Sequence, residues 1–221
     1  TAQRTGHARE ARFHRKPRRI RRELGVSVLL DITASSADPA GDGRALFELQ
    51  RDGALQLVRA LSEAGDRVSC HGFHSWGRKL VRLQRVKGFD DRADVAMRAR
   101  LAALRPVGYS RLGAAIRHGH WLLQNHSGMP RGMIVLISDG LAYDQDYEGE
   151  HAVQDTRRAL REARARGLAC LCLDLSGRSE AGSLRGVFGE AHHLRLPVLQ
   201  GMEGRLARAL ERSLREAGLR G

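Results

Sequence analysis

Five oxygen-bearing side chains have the chemistry of a hard-metal site. Asp31 follows the apolar run "VSVLL", and the hydroxyl residues Thr33 and Ser35 come after it at alternate positions. Asp139 follows a second apolar run, "MIVLIS", and Ser110 lies in a third stretch, "VGYSR". Carboxylates and hydroxyls are ligands that Mg²⁺ prefers, and no soft ligand is among them. The set predicts a Mg²⁺ site, and Mn²⁺ or Ca²⁺ would suit the same oxygens.

These residues meet only if the fold brings the ends of their strands to one edge. Stretches with strand patterns alternate with stretches with helix patterns from residue 25 onward. The runs 26–32 and 133–138 are apolar throughout, which is typical of parallel strands covered on both faces. This alternation predicts an α/β fold with a doubly wound, mostly parallel sheet flanked by helices. Such sheets bind ligands at the carboxyl ends of their strands, where Asp31 and Asp139 lie.

The hydrophobic periodicity predicts the other elements. Further strands are expected at 67–73, 79–86, 168–175 and 192–197. Helices are expected at 44–65, 91–104, 112–125, 151–167 and 202–218. Segment 79–86 alternates strictly between apolar and polar residues, which favours one antiparallel edge strand with a solvated face.

The motifs resemble those of a known domain family. "DITAS", Ser110 and "SDG" resemble the metal-ion-dependent adhesion site (MIDAS) of von Willebrand factor A (VWA) domains, Asp-x-Ser-x-Ser followed by a Thr and an Asp. Thr33 stands in place of the middle Ser and Ser110 in place of the Thr, so both exchanges keep a hydroxyl. "HGFHSWGR", "VKGFDD", "YSRLGAAIRHG" and "DYEGEHAVQDTRRALREARARGL" resemble nitric oxide reductase activation proteins of the NorD type. Rubisco-activase adaptors of the CbbO type are close relatives, and the resemblance covers about residues 24 to 190.

The resemblance implies a Rossmann-like VWA fold and a docking function in place of catalysis. Ser35 and Ser110 would bind Mg²⁺ directly through their hydroxyls. Asp31 and Asp139 would act mostly through bound waters, and Thr33 would support the shell. An acidic side chain of a client protein would complete the coordination. The implied partner is a MoxR-type AAA+ ATPase hexamer, which would remodel a client enzyme, nitric oxide reductase or alternatively Rubisco.

Two other functions compete with docking. A haloacid-dehalogenase-like phosphatase also places an Asp after its first strand, but it needs a second acid two residues later for proton transfer. Thr33 occupies that position, which argues against a phosphatase. A nucleic-acid-binding module would use the basic segment 1–23, and its binding would depend steeply on salt. That segment has only Phe13 as an aromatic residue, so it lacks a stacking platform, and nucleic acid is the less favoured partner.

Charge divides the chain unevenly. The first 24 residues hold nine Lys or Arg and two Glu, which is +7 of the net charge of +13. We interpret residues 1–23 as a basic arm or linker and residues 24–221 as one VWA domain, because 221 residues suffice for one domain. The chain begins at Thr1 and not at a methionine, so we expect it to be part of a longer protein.

The cysteines and the hydropathy indicate where the protein resides. Cys70, Cys170 and Cys172 form no CxxC pair, and we predict buried free thiols in a reducing compartment. No apolar run approaches the roughly 20 residues needed to span a bilayer. The chain opens without a signal-peptide pattern. These features predict a cytoplasmic protein.

An acidic stretch, "YDQDYEGE" (143–150), follows the second carboxylate. It lacks the twelve-residue ligand spacing and the central glycine of a calcium loop. We interpret it as a flexible acidic lip beside the metal site, in which Asp144 and Glu148 contact the partner. The histidines show no ligand spacing of a zinc site and are interpreted as ordinary core or surface residues.

Overall fold

A computed structural model describes residues 23–40, 43–139, 142–176, 181–189, 193–196 and 202–218. Its strands are β1 Leu24–Asp31, β2 Arg67–Ser75, β3 Val81–Lys87, β4 Arg131–Ile137, β5 Leu168–Asp174 and β6 His193–Arg195. They form one sheet in the order β3-β2-β1-β4-β5-β6. Neighbouring strands are parallel except for β2 and β3, so the predicted sheet with one antiparallel edge strand is confirmed. The predicted basic arm lies outside the described residues except for Glu23.

Helices cover both faces of the sheet. They are α1 Leu46–Glu63, α2 Val95–Ala103, α3 Leu112–His126, α4 Gly149–Ala165, α5 Ala181–Phe188 and α6 Met202–Glu216. Helices α1, α2 and α6 pack in one hydrophobic cluster, and α3, α4 and α5 pack in a second on the opposite face. Within the described residues, no helix has both the length and the apolar character needed to cross a bilayer.

Strand β1 is central and fixes the position of α3. All eight of its residues are buried, as the continuous apolar run predicts. Helix α3 approaches it closely at Gly119, where an added Cβ would lie 2.9 Å from Leu29 Cδ1. Since α3 begins two residues after Ser110, this close packing holds the loop that carries Ser110 beside the end of β1.

Helix α2 begins later than the predicted start at residue 91. Asp94 is its N-cap, and its side chain accepts a hydrogen bond from Met97 N at 3.1 Å. Asp91 instead closes a turn by accepting a hydrogen bond from Gly88 N at 2.7 Å. The hydrophobic periodicity of the sequence therefore predicts that α2 exists but not the residue at which it begins.

Helix α5 was not predicted, because its sequence "AGSLRGVF" contains two glycines and a serine. Tertiary contacts stabilise it. Leu184 and Phe188 are buried in the second cluster. Arg157 of α4 donates to Gly186 O at 2.8 Å, and Arg164 donates to Phe188 O at 3.1 Å.

The prediction of buried free thiols is confirmed for all three cysteines. Burial raises the pKa of Cys70 and of Cys170 to about 12, and it raises the pKa of Cys172 well above its ordinary value. The thiolate is the reactive form, so these groups are inert in the native state. We expect no reaction of the native protein with a disulfide reagent at neutral pH, and reaction of all three thiols in denaturant. Rapid labelling of the native protein would contradict this arrangement.

Candidate metal centre

Four of the five predicted ligands line one cavity at the carboxyl edge of the sheet. The cavity has a volume of about 300 Å³ and is lined by Thr33, Ala34, Ser35, Gly108, Tyr109, Ser110, Asp139 and Tyr143. It lies beyond the ends of β1 and β4, which are neighbours in the sheet. The strand order reverses between them, and this switch point is where open α/β sheets bind ligands.

The fifth residue, Asp31, supports the cavity from the buried end of β1. Its Oδ1 accepts a hydrogen bond from Thr33 N at 3.0 Å, and its Oδ2 accepts one from Ser138 Oγ at 2.9 Å. Burial and the nearby carboxylate of Asp139 raise the pKa of Asp31 to about 7. Two carboxylates close enough to repel each other are an arrangement that a cation stabilises. Ser138 was not predicted, although it directly precedes Asp139.

A tight turn brings the two hydroxyls after β1 together. Thr33 Oγ1 and Ser35 Oγ are 3.2 Å apart. Residues Ala34–Ala37 form a single 3-10 turn, and Ser36 Oγ closes it by donating to Thr33 O at 2.6 Å. Ser36 is therefore a turn residue. The turn places alternate hydroxyls of "DITAS" on the same side of the chain.

Ser110 reaches the site through a loop that is tied to both neighbours. Gly108 O accepts a hydrogen bond from Ala34 N at 3.1 Å, and Ser110 N donates to Tyr143 O at 2.8 Å. Ser110 Oγ is buried and has no hydrogen-bond partner among the described residues. A buried hydroxyl without a partner costs about 1–3 kcal/mol, so Ser110 Oγ has an unused lone pair that a ligand in this cavity could satisfy.

The chemistry of this set fits a hard divalent cation. It combines two carboxylates with three hydroxyls, all of them hard oxygen donors. In the described part of the chain, no cluster of three or more His, Cys, Asp or Glu residues is placed to hold a metal ion. A site here would therefore depend on its hydroxyls. Such a donor set suits Mg²⁺, Mn²⁺ or Ca²⁺ better than zinc.

The interpretation of Asp144 as part of an exposed acidic lip is wrong, because its side chain is buried. Its Oδ2 accepts a hydrogen bond from Arg111 Nε at 2.7 Å, and its Oδ1 accepts bonds from Gly77 N at 2.8 Å and Gln145 N at 2.7 Å. Burial raises the pKa of Asp144, but these donors outweigh it and lower the pKa overall. Asp144 therefore joins three loops at the rim. Glu148 is exposed, and its contact with a partner stays a prediction.

A second polar network joins α3 to α4. Tyr147 Oη donates to Asp155 Oδ2 at 2.7 Å, and Arg117 donates to Asp155 Oδ1 at 2.8 Å and to Glu162 Oε2 at 2.7 Å. A Cβ at Gly113 would displace the Asp155 carboxylate from this position. These residues come from the two stretches "YSRLGAAIRHG" and "DYEGEHAVQDTRRALREARARGL". The network therefore ties α3, which begins two residues after Ser110, to α4.

Known proteins resemble this chain in sequence and in fold. No protein-family model matches it. It is 34% identical over 194 residues to the protein NorD of Brucella suis biovar 1, covering 85% of this chain and 30% of that protein. It is 35% identical over 178 residues to the protein NorD of Stutzerimonas stutzeri, covering 80% of this chain and 29% of that protein.

A solved structure shows the fold independently. The crystal structure of the conserved hypothetical protein BatB from Bacteroides thetaiotaomicron matches with a TM-score of 0.61 at 16% identity, covering 87% of this chain and 99% of that one. The chain spans about 30% of the length of the NorD proteins that it matches. Over most of its own length, this chain is therefore similar to one part of the NorD proteins, and its fold is that of a VWA-like α/β domain.

Proposed function

We propose that this chain is a metal-dependent protein-docking domain and not an enzyme. We further propose that it serves as the adaptor of a MoxR-type AAA+ ATPase hexamer that remodels a client enzyme. The observation that carries this proposal is the buried, unpartnered Ser110 Oγ in a cavity that Thr33, Ser35 and Asp139 also line. Similarity to NorD proteins supports nitric oxide reductase as the client.

Each side chain has a distinct role in this proposal. The hydroxyls of Ser35 and Ser110 would hold the cation directly, and Thr33 orients Ser35 through their 3.2 Å contact. Asp31 and Asp139 would act mostly through water. Asp31 is suited to this because both of its oxygens already accept hydrogen bonds inside the protein. A bound Mg²⁺ would supply an open coordination position for a carboxylate of the client.

The surroundings of Asp31 support docking over phosphatase chemistry. A general acid two residues after the nucleophile would have to stand at residue 33, which is a threonine. Thr33 Oγ1 instead lies within hydrogen-bond distance of Ser35 Oγ. A threonine hydroxyl does not ionise near neutral pH and cannot replace a carboxylic acid as the general acid or base, which supports docking over phosphatase chemistry.

A retention experiment tests the docking function. The chain is immobilised and offered the matching ATPase with nitric oxide reductase or with Rubisco, in Mg²⁺ and in EDTA. We expect the client to be retained in Mg²⁺ only, and Ser110→Ala to abolish that retention. Asp38→Asn is the matched control, because Asp38 lies in the same loop but is exposed and outside the cavity.

Other outcomes of this experiment have defined meanings. Retention of Rubisco in place of nitric oxide reductase would assign the chain to the CbbO-type alternative. Retention that is equal in EDTA would contradict metal-dependent docking. If nucleic acid is offered to the same immobilised chain, retention that falls steeply with salt and disappears on deletion of residues 1–23 would favour the nucleic-acid module.

A further inference from the structure

We propose that the docking surface extends beyond the metal centre and takes an extended acidic segment of a partner protein. This inference rests on the proposed function and names the chemistry of its ligand. Two features beside the centre carry it. The first, the aromatic row, consists of Trp76, Tyr109 and Tyr143. The second, the basic cavity, has a volume of about 480 Å³ and is lined by Trp76, Gly77, Arg78, Lys79, Arg111, Gln145, Asp146 and His151.

The aromatic row is exposed and contiguous. Trp76, Tyr109 and Tyr143 are 50%, 39% and 54% exposed. The ring centroids of Trp76 and Tyr109 are 5.5 Å apart, and those of Tyr109 and Tyr143 are 5.6 Å apart, both edge to face. Adjacent exposed aromatic side chains are the residues that most often anchor protein partners.

The backbone segments that carry Trp76 and Tyr109 are joined by hydrogen bonds. Ser75 N donates to Tyr109 O at 2.8 Å, and Tyr109 N donates to Ser75 O at 2.9 Å. Trp76 packs on Gly108, which has φ +67, and a Cβ there would lie 2.6 Å from Ser75 O and 3.1 Å from the indole nitrogen. A paired backbone beneath the rings reduces the conformational entropy that is lost when a partner covers them.

The row connects the metal centre to the basic cavity. Tyr109 and Tyr143 line the first cavity, and Trp76 lines the second. The consecutive residues Ser110 and Arg111 likewise line one cavity each. A segment that reaches from one cavity to the other therefore runs along the aromatic row.

The charges of the basic cavity select an acidic occupant. Arg78 and Lys79 are exposed and form no ion pair with any residue that the structure describes. Asp146 is the acidic residue among the described lining residues. The ring separations place the ends of the row within about 11 Å, which is three to four residues of extended chain at about 3.3 Å per residue. The fitting ligand therefore has an acidic residue on each side of the segment that crosses the row, with an apolar or aromatic residue between them.

The same surface suits nucleic acid less well. Stacking platforms present ring faces along a strongly basic groove. Here the rings meet edge to face. The two cavities also contain Asp139 and Asp146 beside the positive side chains of Arg78 and Lys79. An acidic peptide matches this charge distribution better than a row of phosphates.

A peptide selection tests the inference. Random linear peptides displayed on phage are selected on the full chain in Mg²⁺, and one selected peptide is synthesised and labelled. Its affinity is measured for wild type, Trp76→Ala and the double variant Arg78→Glu/Lys79→Glu. We expect the two-acid pattern in the selected peptides and a loss of about tenfold in affinity for each variant.

Two matched controls isolate the surface. Trp121→Ala removes a tryptophan that is also 50% exposed but lies on α3 outside both cavities. Arg92→Glu/Arg98→Glu reverses two exposed charges outside both cavities. We expect both controls to bind within about twofold of wild type. In Trp121→Phe, Trp76 is the single tryptophan, and saturation with the peptide should shift its emission to shorter wavelength.

The outcomes separate this inference from the proposed function. Binding that needs Mg²⁺ and Ser110, yet is equal in wild type, Trp76→Ala and Arg78→Glu/Lys79→Glu, would overturn the extended surface and leave metal-dependent docking standing. Binding without any dependence on Mg²⁺ would overturn the proposed function. Binding of a labelled single-stranded oligonucleotide that is equal in Mg²⁺ and in EDTA and is weakened in Trp76→Ala and in Arg78→Glu/Lys79→Glu would overturn the inference in favour of nucleic acid.

Discussion

Asp31→Asn should abolish the stabilisation of this protein by Mg²⁺ while leaving the metal-free protein folded. Asparagine keeps an oxygen that accepts the hydrogen bond from Thr33 N, so the turn after β1 survives. The substitution also removes a negative charge that burial and Asp139 disfavour. The metal-free variant should therefore be at least as stable as the metal-free wild type.

The effect is measurable by thermal unfolding. A cation at about 100 times its Kd adds about 2.7 kcal/mol to the stability of the native state. In a domain of this size that raises the Tm of the wild type by about 5–10 °C. Asp31→Asn should lose this increase, and the matched control Asp38→Asn should keep it. Ser110→Ala should also lose most of the Mg²⁺-dependent increase in Tm, because Ser110 Oγ lines the cavity and makes no hydrogen bond with the described residues.

Two results would contradict the metal site. Equal Mg²⁺ stabilisation of wild type and Asp31→Asn would show that the cation binds elsewhere. An absence of Mg²⁺, Mn²⁺ and Ca²⁺ effects on wild type would remove the reason for placing a cation in this cavity.

Asp144→Ala should lower the free energy of unfolding by about 3–5 kcal/mol, because it breaks a buried ion pair. The side chains of Arg111 and Asp144 are 11% and 0% exposed, and their atoms Nε and Oδ2 are 2.7 Å apart. The substitution leaves the Arg111 guanidinium buried without its carboxylate. It also leaves the amides of Gly77 and Gln145 without their acceptor.

Denaturant unfolding of Asp144→Ala and Glu148→Ala tests whether Asp144 stabilises the fold or only contacts a partner from an exposed acidic lip. Glu148 is the matched control because it is exposed and its side chain does not cap α4. We expect Glu148→Ala to change stability by less than about 0.5 kcal/mol. If Asp144→Ala changed the free energy of unfolding as little as Glu148→Ala and altered only partner binding, the structural role of Asp144 would be wrong.

Local patterns identify the strands. The run at 26–32 is apolar at every position because β1 is covered on both faces, and the alternation at 79–86 marks the half-solvated edge strand β3. Helix α5 escaped prediction because its glycines lower its intrinsic propensity, and contacts from Arg157 and Arg164 of α4 stabilise it. Local pattern predicts an element only where the element's own residues stabilise it.

The candidate site divides in the same way. Its predicted metal ligands lie in short motifs at the ends of strands, so residue types and their spacing in the sequence indicated them. Asp144 was misassigned because nothing in "YDQDYEGE" shows that Arg111 and Gly77, more than 30 residues earlier, surround one of its carboxylates. The aromatic row was missed because its members are single residues on three different loops.

The sequence alone determined the fold class, the strand-exit carboxylates and hydroxyls, and the likeness to NorD proteins, because each of these is written in consecutive residues. Only the tertiary structure decided that four of those groups share a cavity, that Ser110 Oγ is buried without a partner, and that three aromatic rings adjoin it. The physical reason is that burial and contact depend on which distant loops the parallel strands β1, β2 and β4 bring to one edge. Spacing along the chain does not encode that proximity.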